Sequence, residues 1–302
     1  MAAHEILAAT NAVVTLDVAL PGTVWPWLVT VNMWAKSIGT GVIFMLFLLI
    51  RKHPEQVGGN LRFSTTVVSI IFIHIFLLFT LADLHQPFRM WHIFFYPHLS
   101  SAITIGAWMA TAFVGLLFLL AFLSFIKKDN AAFDKTLTWV TILAIPVTLY
   151  TAALMSQCTA RELWQMPTES AQMIFAALLS GSATMILLGG KKLNYEAKNT
   201  LAVVLGLSAF MSFTLYMAEY IFGPMKAEEV AAVLEYIKGD GPYTVMFWLG
   251  QWITYLLPML LIVLSRASKS ENILKLAAIL ALAGLWLVKH VWLMIPQLLP
   301  MS

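Results

Sequence analysis

The sequence predicts an all-α integral membrane protein with eight transmembrane helices. Of its 302 residues, 60% are hydrophobic and only 11% are charged, whereas about a quarter of the residues in a soluble domain are charged. The mean hydropathy is +0.83. About 20 apolar residues cross a bilayer core as one helix, and the sequence has eight runs of about that length. It shows no alternating segments of about ten residues, the pattern of a transmembrane barrel.

The eight apolar runs occupy nearly the whole chain and leave short connections. At about 1.5 Å per residue, each run is long enough for one crossing. They cover residues 25–50, 64–82, 99–126, 136–156, 168–189, 198–222, 243–265 and 272–295.

Residues 1–24 form a segment before the first run. They contain no Lys or Arg and no short apolar core with a small-residue cleavage site, so we expect no cleavable signal peptide. The one cysteine, Cys158, excludes an intramolecular disulfide, a cysteine-ligated iron–sulfur cluster and a CxxCH haem attachment in this chain. Any redox metal would then belong to a partner.

The loop charges predict the orientation. Twelve Lys and Arg residues lie near 51–62, 127–135, 191–198 and 266–275, and the loops of the other face have four: Arg89, Arg161, Lys226 and Lys238. By the positive-inside rule the first set is cytoplasmic, which places both termini and the 83–98 loop on the outer side. The net charge of +3 therefore reflects topology and does not indicate nucleic-acid binding.

Ionisable side chains also lie inside the predicted spans, where a charge costs about 2.5–3.5 kcal/mol on insertion scales. Of these, Glu219 and Lys289 lie near the outer ends of their runs, and we expect them to pair and to be candidates for a proton path. His74 and His290 lie at different depths, which argues against a haem between them. The full set is Lys36, His74, Asp83, Glu219, Lys289 and His290.

Polar groups of four helices converge just below the outer surface. Asn32 and Lys36 are four residues apart on one face of the first run, and Asn32 lies about 10 Å deep, which matches a depth of about 9 Å for Tyr150. The neighbouring runs add Asp83, Ser100, Ser101 and Thr104. This set predicts a site for an amphipathic ligand with a polar head; the alternative is hydrogen bonding that only joins the helices. Residues 223–242 form either a short amphipathic surface helix or a solvated loop.

The stretch DLHQPFRMWH at 83–92 and the stretch SSAITIGAW at 100–108 resemble the NrfD/PsrC family of quinone-reactive membrane subunits. Its DLGxPxR pattern, the W-H continuation and the S-x-x-x-x-GAW opening of the third span are similar, although His85 replaces a glycine. Further similar features are Gly39-Thr40-Gly41, Pro146 to Thr151 and Trp164 to Pro167. The resemblance covers the first five spans, and beyond residue 190 only the span count and Pro258 are similar.

The resemblance implies two four-helix bundles, taken as residues 25–160 and 161–302, in the cytoplasmic (inner) membrane. It implies a menaquinone or ubiquinone bound non-covalently in the first bundle near the outer face, with no haem in this chain. A ferredoxin-like iron–sulfur subunit would dock there and connect to a molybdenum or other catalytic subunit, as in respiratory complexes. Asp83, Pro87 and Arg89 match the motif, and Tyr150 takes the position of a quinone-contacting tyrosine. Asn32 falls where some members have histidine.

The chemistry of quinol oxidation fits these residues. The reaction releases two electrons and two protons; Tyr150 and Asn32 can bond the ring oxygens, and Asp83 can relay protons outward. Asp83 and Arg89 could instead pair across the break at Pro87. We therefore take Asp83 and Tyr150 as catalytic candidates. The predicted quinone-binding set is Asn32, Lys36, Asp83, Arg89, Ser101, Thr104 and Tyr150, and no metal site is predicted.

Two other classes of protein stay open. A secondary transporter or channel would also have eight spans with buried Lys, Glu and His, and broken helices at matched positions of its halves would indicate it. Pro146 and Pro258 interrupt the fourth and seventh runs, but at unmatched positions. A structural anchor would hold a peripheral enzyme without binding quinone.

Overall fold

The computed structural model describes residues 23–299. Within that range eight helices are long and apolar enough to cross a membrane, which confirms the all-α class and the predicted number. The predicted segment 1–24 and both termini lie almost wholly outside the described residues. The helices, numbered spans 1 to 8, are Trp27–Lys52, Gly59–Asp83, Ala102–Lys127, Asn130–Ser156, Met166–Gly189, Tyr195–Met225, Thr244–Ser268 and Glu271–Gln297.

Spans 2 and 4 begin five to six residues before their predicted starts, at Gly59 and Asn130. Asp129 caps span 4 by accepting the Ala132 backbone N–H at 2.9 Å. Arg62 and Asp134 then join the first turns of the two spans through an ion pair of 3.1 Å. Capping and pairing extend both helices into polar sequence that hydropathy alone leaves out.

One end of the bundle collects the four loops rich in Lys and Arg, and we call it the basic end. Lys198 of span 6 pairs there with Glu271 of span 8 at 2.6 Å. His53 Nε2 lies 3.0 Å from Thr200 Oγ1. The loop charges therefore share one end, and its assignment to the cytoplasm stays a prediction.

The opposite end holds the loops at 84–101, 157–165 and 226–243, and we call it the aromatic end. The Trp25 backbone N–H donates to Gln297 Oε1 at 2.8 Å, so the two ends of the described chain meet here. The Trp25 ring stacks on Trp164 at 5.2 Å between centroids. Trp164 Nε1 donates to the Trp292 carbonyl at 3.4 Å.

The 226–243 loop contains a helix, Glu228–Glu235, whose Val230, Val233 and Leu234 are buried while Glu228 is exposed. Of the two alternatives for this segment, the amphipathic helix is confirmed. Its position at a membrane surface stays a prediction.

Spans 1 and 5 cross at the centre of the fold with their backbones in contact. A Cβ on Gly41 would overlap the Ala177 carbonyl, and one on Gly181 would overlap Gly41. Small residues at such crossings let membrane helices approach closely. Span 1 also packs on spans 2, 4 and 8. The partition into two four-helix bundles stays a prediction.

The two helix prolines act differently. The interruption expected at Pro146 is wrong, because Asn130–Ser156 is one continuous helix; a proline removes only one backbone donor, and membrane helices tolerate that loss. In span 7 a π-helical turn, Trp252–Leu256, separates Thr244–Gln251 from Leu257–Ser268, and Pro258 follows directly.

Candidate functional site

A cavity of about 370 Å³ lies between spans 2 and 3, beside the short helix His92–Phe95. Leu78 and Ile103 line it and are also exposed on the outside of the bundle, so it opens on the lipid-facing surface. Its size falls within the range of small-molecule sites, about 300–1,000 Å³. The lining is mostly apolar, and its polar side chains are His74, Thr80, Thr111 and Tyr150.

Tyr150 reaches the cavity from span 4, and its position depends on Gly106 of span 3. A Cβ on Gly106 would overlap the Tyr150 ring, so the ring occupies the space that a side chain at residue 106 would fill. On the other side, the Lys36 ammonium lies 5.7 Å from the centre of the same ring. The phenol is therefore held between spans 1 and 3.

Lys36 is fully buried behind the cavity wall. Its Nζ donates to Thr151 Oγ1, and it lies 5.9 Å from the Phe76 ring as well as near Tyr150. A cation over two aromatic faces is stabilised by their quadrupoles, more so where water is absent. Lys36 thus touches the cavity through the two rings that line it.

Asn32 lies in the same second layer. Its Nδ2 donates to Thr80 Oγ1 at 2.5 Å and to the Phe76 carbonyl at 3.4 Å, and both partners belong to cavity-lining residues. The amide therefore fixes the wall of span 2. The structure brings Asn32, Lys36 and Tyr150 together, as their common depth predicts.

The remaining predicted ligand residues lie at the rim. Asp83 is half-buried at the end of span 2, next to the cavity-lining Leu84. Arg89 is exposed, and within the described residues no ion pair joins it to Asp83, so that alternative is wrong. Ser101 precedes span 3 without a capping bond, and Thr104 is buried.

Sequence reasoning missed part of the cavity lining. Thr80, Gly106 and Thr111 were not selected, although Gly106 and Ala110, four residues apart, form the small-residue face against which the cavity lies. His74 is hydrogen-bonded, its Nδ1 2.7 Å from the Ile70 carbonyl, as expected for a lone histidine. It is exposed on the lipid-facing side, however, and lines the cavity.

The expected pair of Glu219 and Lys289 is wrong. Lys226, in the turn after span 6, folds back and donates to both Glu219 carboxylate oxygens at 2.5 and 2.7 Å. Lys289 instead interacts electrostatically with Glu169 of span 5, and its Nζ lies 3.5 Å from Met173 Sδ. Glu169 accepts the Trp292 indole N–H at 2.9 Å. Sequence reasoning passed over Glu169 because it stands at the very start of its run.

Ionisable groups of the loops at the aromatic end are also perturbed. Burial raises the pKa of Glu229, whose Oε2 accepts the Glu162 backbone N–H at 3.0 Å. Burial also raises the pKa of the Cys158 thiol, and the charge of Arg161 partly offsets this. These contacts tie the 157–165 loop to the Glu228–Glu235 helix.

Comparison with known proteins gives a consistent result. A family model described as polysulphide reductase, NrfD, matches residues 18–300. The C subunit of selenate reductase from Mesobacillus selenatarsenatis is 26% identical over 275 residues, which cover 74% of this chain and 62% of that protein. The C subunit of tetrathionate reductase from Salmonella typhimurium is 24% identical over 280 residues, which cover 91% of this chain and 80% of that protein. The match thus spans less than two thirds of the selenate reductase protein.

Proposed function

Because this multi-pass membrane chain belongs to the polysulphide reductase NrfD family, we propose that it exchanges electrons between a membrane quinone or quinol and an iron–sulfur partner subunit. It would do so as the membrane subunit of a respiratory reductase complex. The names of the two relatives, each of them one subunit of a reductase, support an assembly with further subunits.

The cavity between spans 2 and 3 is the observation that carries this proposal. A quinone has a polar ring and an isoprenoid tail, so its site needs an apolar cleft open to lipid with few polar groups inside. The cavity has that form, and Tyr150, Thr80 and Thr111 supply hydroxyl groups within it. Its side opening lets a ligand enter from the bilayer. The proposal covers menaquinone and ubiquinone alike.

The loop residues next to the cavity would handle protons and electrons. Asp83 ends span 2 at the aromatic end and can relay protons to water. The proposed acceptor is a ferredoxin-like iron–sulfur subunit docked at this end, which passes electrons to a molybdenum or other catalytic subunit. In this arrangement both termini and the aromatic end face outward from the inner membrane.

Quinone binding by the purified protein tests the proposal. We expect quinone in its lipid extract and quenching of tryptophan fluorescence by a quinone analogue. Tyr150→Phe should weaken binding of the analogue about tenfold, or about 1.4 kcal/mol, because one hydrogen bond is lost. Tyr195→Phe, an exposed tyrosine at the basic end, is the matched control. Equal affinity of the two variants would reject this site, and a protein without quinone affinity would fit a structural anchor.

Turnover of the assembled complex tests Asp83. Asp83→Asn should slow quinol-linked turnover about tenfold or more while the complex still assembles, because the relay carboxylate is gone. Asp240→Asn, an exposed carboxylate in another loop of the same end, should leave turnover unchanged. Normal turnover in both Asp83→Asn and Tyr150→Phe would move the site elsewhere.

A further inference from the structure

Spans 6 and 7 bury polar side chains whose hydrogen-bonding groups have no partner among the described residues. Gln251 and Thr254 of span 7 are fully buried, and neither the amide atoms of Gln251 nor the hydroxyl of Thr254 is bonded. The Ser212 hydroxyl of span 6 shares this property. Buried polar atoms without protein partners are as a rule bonded to water or to an ion. These groups therefore mark a polar chamber within the second half.

The backbone of span 7 is distorted at the same place. The π-helical turn Trp252–Leu256 follows Gln251 directly, and such turns are frequent at functional sites. Pro258 cannot give the Thr254 carbonyl the N–H that an α-helix would supply. At about 1.5 Å per residue from Thr244, Thr254 lies about 15 Å deep, near the middle of the membrane. The unpartnered groups thus lie at a depth where lipid can supply no hydrogen bonds.

Two buried tyrosines connect this chamber to Glu169. Tyr255 follows Thr254, lies next to the Ser212 hydroxyl and stacks on Tyr216 at 6.1 Å between ring centroids. Tyr216 packs edge-on against Trp292 at 4.9 Å, and Trp292 donates to Glu169 at 2.9 Å. A tyrosine hydroxyl is both donor and acceptor, so it can pass a proton along such a chain.

The charged groups of this region leave one proton free to move. Glu169 and Lys289 are 2% and 4% exposed and interact with each other. Lys289 also interacts with Lys36 of span 1, which lies beside Tyr150 and the cavity. Two buried cations and one carboxylate would leave a costly uncompensated charge. The cluster is neutral when one lysine lacks its proton, so it can accept and release one.

The cluster also has an outlet at the aromatic end. Glu169 interacts with Glu219, and Thr168, its sequence neighbour, donates to Glu219 Oε1 at 3.4 Å. Glu219 in turn is bound by Lys226, whose side chain is 35% exposed. Groups able to hold a proton therefore follow one another from the middle of the bundle to water.

We propose that spans 5 to 8 enclose a hydrated proton pathway that runs from Gln251 and Thr254 to Glu169 and Lys289 and opens at Glu219 and Lys226. Its branch through Lys36 links it to the cavity of the first half. Transfer of quinol protons along that branch rests on the proposed function, whereas the hydration of the pathway does not.

Hydroxyl-radical labelling tests the hydration in the unmodified full-length protein. X-ray pulses convert bound water to radicals that oxidise neighbouring side chains, and mass spectrometry locates the products. Tyr216, Tyr255 and Trp292 should be labelled at least tenfold faster than Phe113 and Phe133, aromatic residues of the first half that are equally buried. Thr254→Val should lower the labelling of Tyr255 and leave that of the two phenylalanines unchanged. Equal rates for the two aromatic sets would overturn the proposal.

Proton movement by the complex in liposomes tests the function of the pathway. With the complex purified through a tag on this chain, Glu169→Gln should at least halve the protons moved per two electrons, while the affinity for the quinone analogue stays unchanged. Glu228→Gln, an exposed carboxylate of the same end, is the control. A normal proton ratio in Glu169→Gln would overturn the pathway. If the wild-type complex does not oxidise quinol, the proposed function fails, and the labelling result alone decides the pathway.

Discussion

Spans 1 to 4 place their buried polar groups behind a cavity that opens to lipid, whereas spans 5 to 8 enclose theirs. In the first half, the Lys36 ammonium is bound by a hydroxyl and two aromatic rings, and Asn32 holds the cavity wall. In the second half, Lys289 faces the carboxylate of Glu169, and unpartnered groups of span 7 lie deeper.

The difference follows from the free energy of burying a charge. A full ion pair removes two charges from water and is kept only where both remain enclosed together. A cation over aromatic rings leaves the adjacent cavity apolar, which an isoprenoid quinone requires. The first half is therefore suited to bind a ligand from the bilayer, and the second half is suited to hold protons.

The largest effect we expect is on stability, from Lys289→Met. This variant leaves Glu169 buried without its cation, so the free energy of unfolding should fall by about 3–5 kcal/mol. Lys36→Met should cost less than half as much, because the partners left behind are a hydroxyl and aromatic rings that need no counter-charge. Denaturant titrations in detergent measure both. Equal losses would show that the two lysines are not held differently.

A double variant separates the pair from the position. Lys289→Met combined with Glu169→Gln removes both charges, and it should lose less stability than Lys289→Met alone. A double variant that loses the sum of the two single losses would show that Lys289 and Glu169 act independently.

The next effect concerns the cavity of the first half. In Gly106→Ala the new methyl group would overlap the Tyr150 ring, which must move. We expect affinity for a quinone analogue to fall about tenfold, with a stability cost of about 1–3 kcal/mol from overpacking. Gly115→Ala on the same span meets open space and should change neither quantity. If both variants bind the analogue like the wild type, Gly106 does not position Tyr150 for binding.

The sequence predicts what depends on depth and fails where rotation about a helix decides. Hydropathy predicts eight spans, and a constant rise per residue places Asn32 and Tyr150 at one depth. Depth alone also suggests that Glu219 and Lys289 meet. They do not, because the flexible Lys226 reaches Glu219 first, while Glu169 faces Lys289.

The cavity itself is hidden from the sequence for a related reason. It exists because Gly106 lacks a side chain opposite Tyr150, a relation between two helices that becomes visible only when both are packed. The unpartnered state of Gln251 and Thr254 is likewise a property of the assembled bundle. Composition indicates that polar residues are buried, and only the packed structure shows which have found partners.

The smallest effect we expect comes from Lys226→Met, at the outlet of the second half. Its ion pair with Glu219 is partly exposed, so its loss should lower the free energy of unfolding by about 0.5–1 kcal/mol. Water and salt screen such a pair, and the loss should shrink further in about 1 M salt, where the Debye length is about 3 Å. Titrations of both lysine variants at low and high salt measure this, and the loss from Lys289→Met should not change with salt because that pair is enclosed. A salt-independent loss of about 3 kcal/mol from Lys226→Met would instead place Glu219 among the enclosed charges and would remove the outlet on which the contrast between the halves depends.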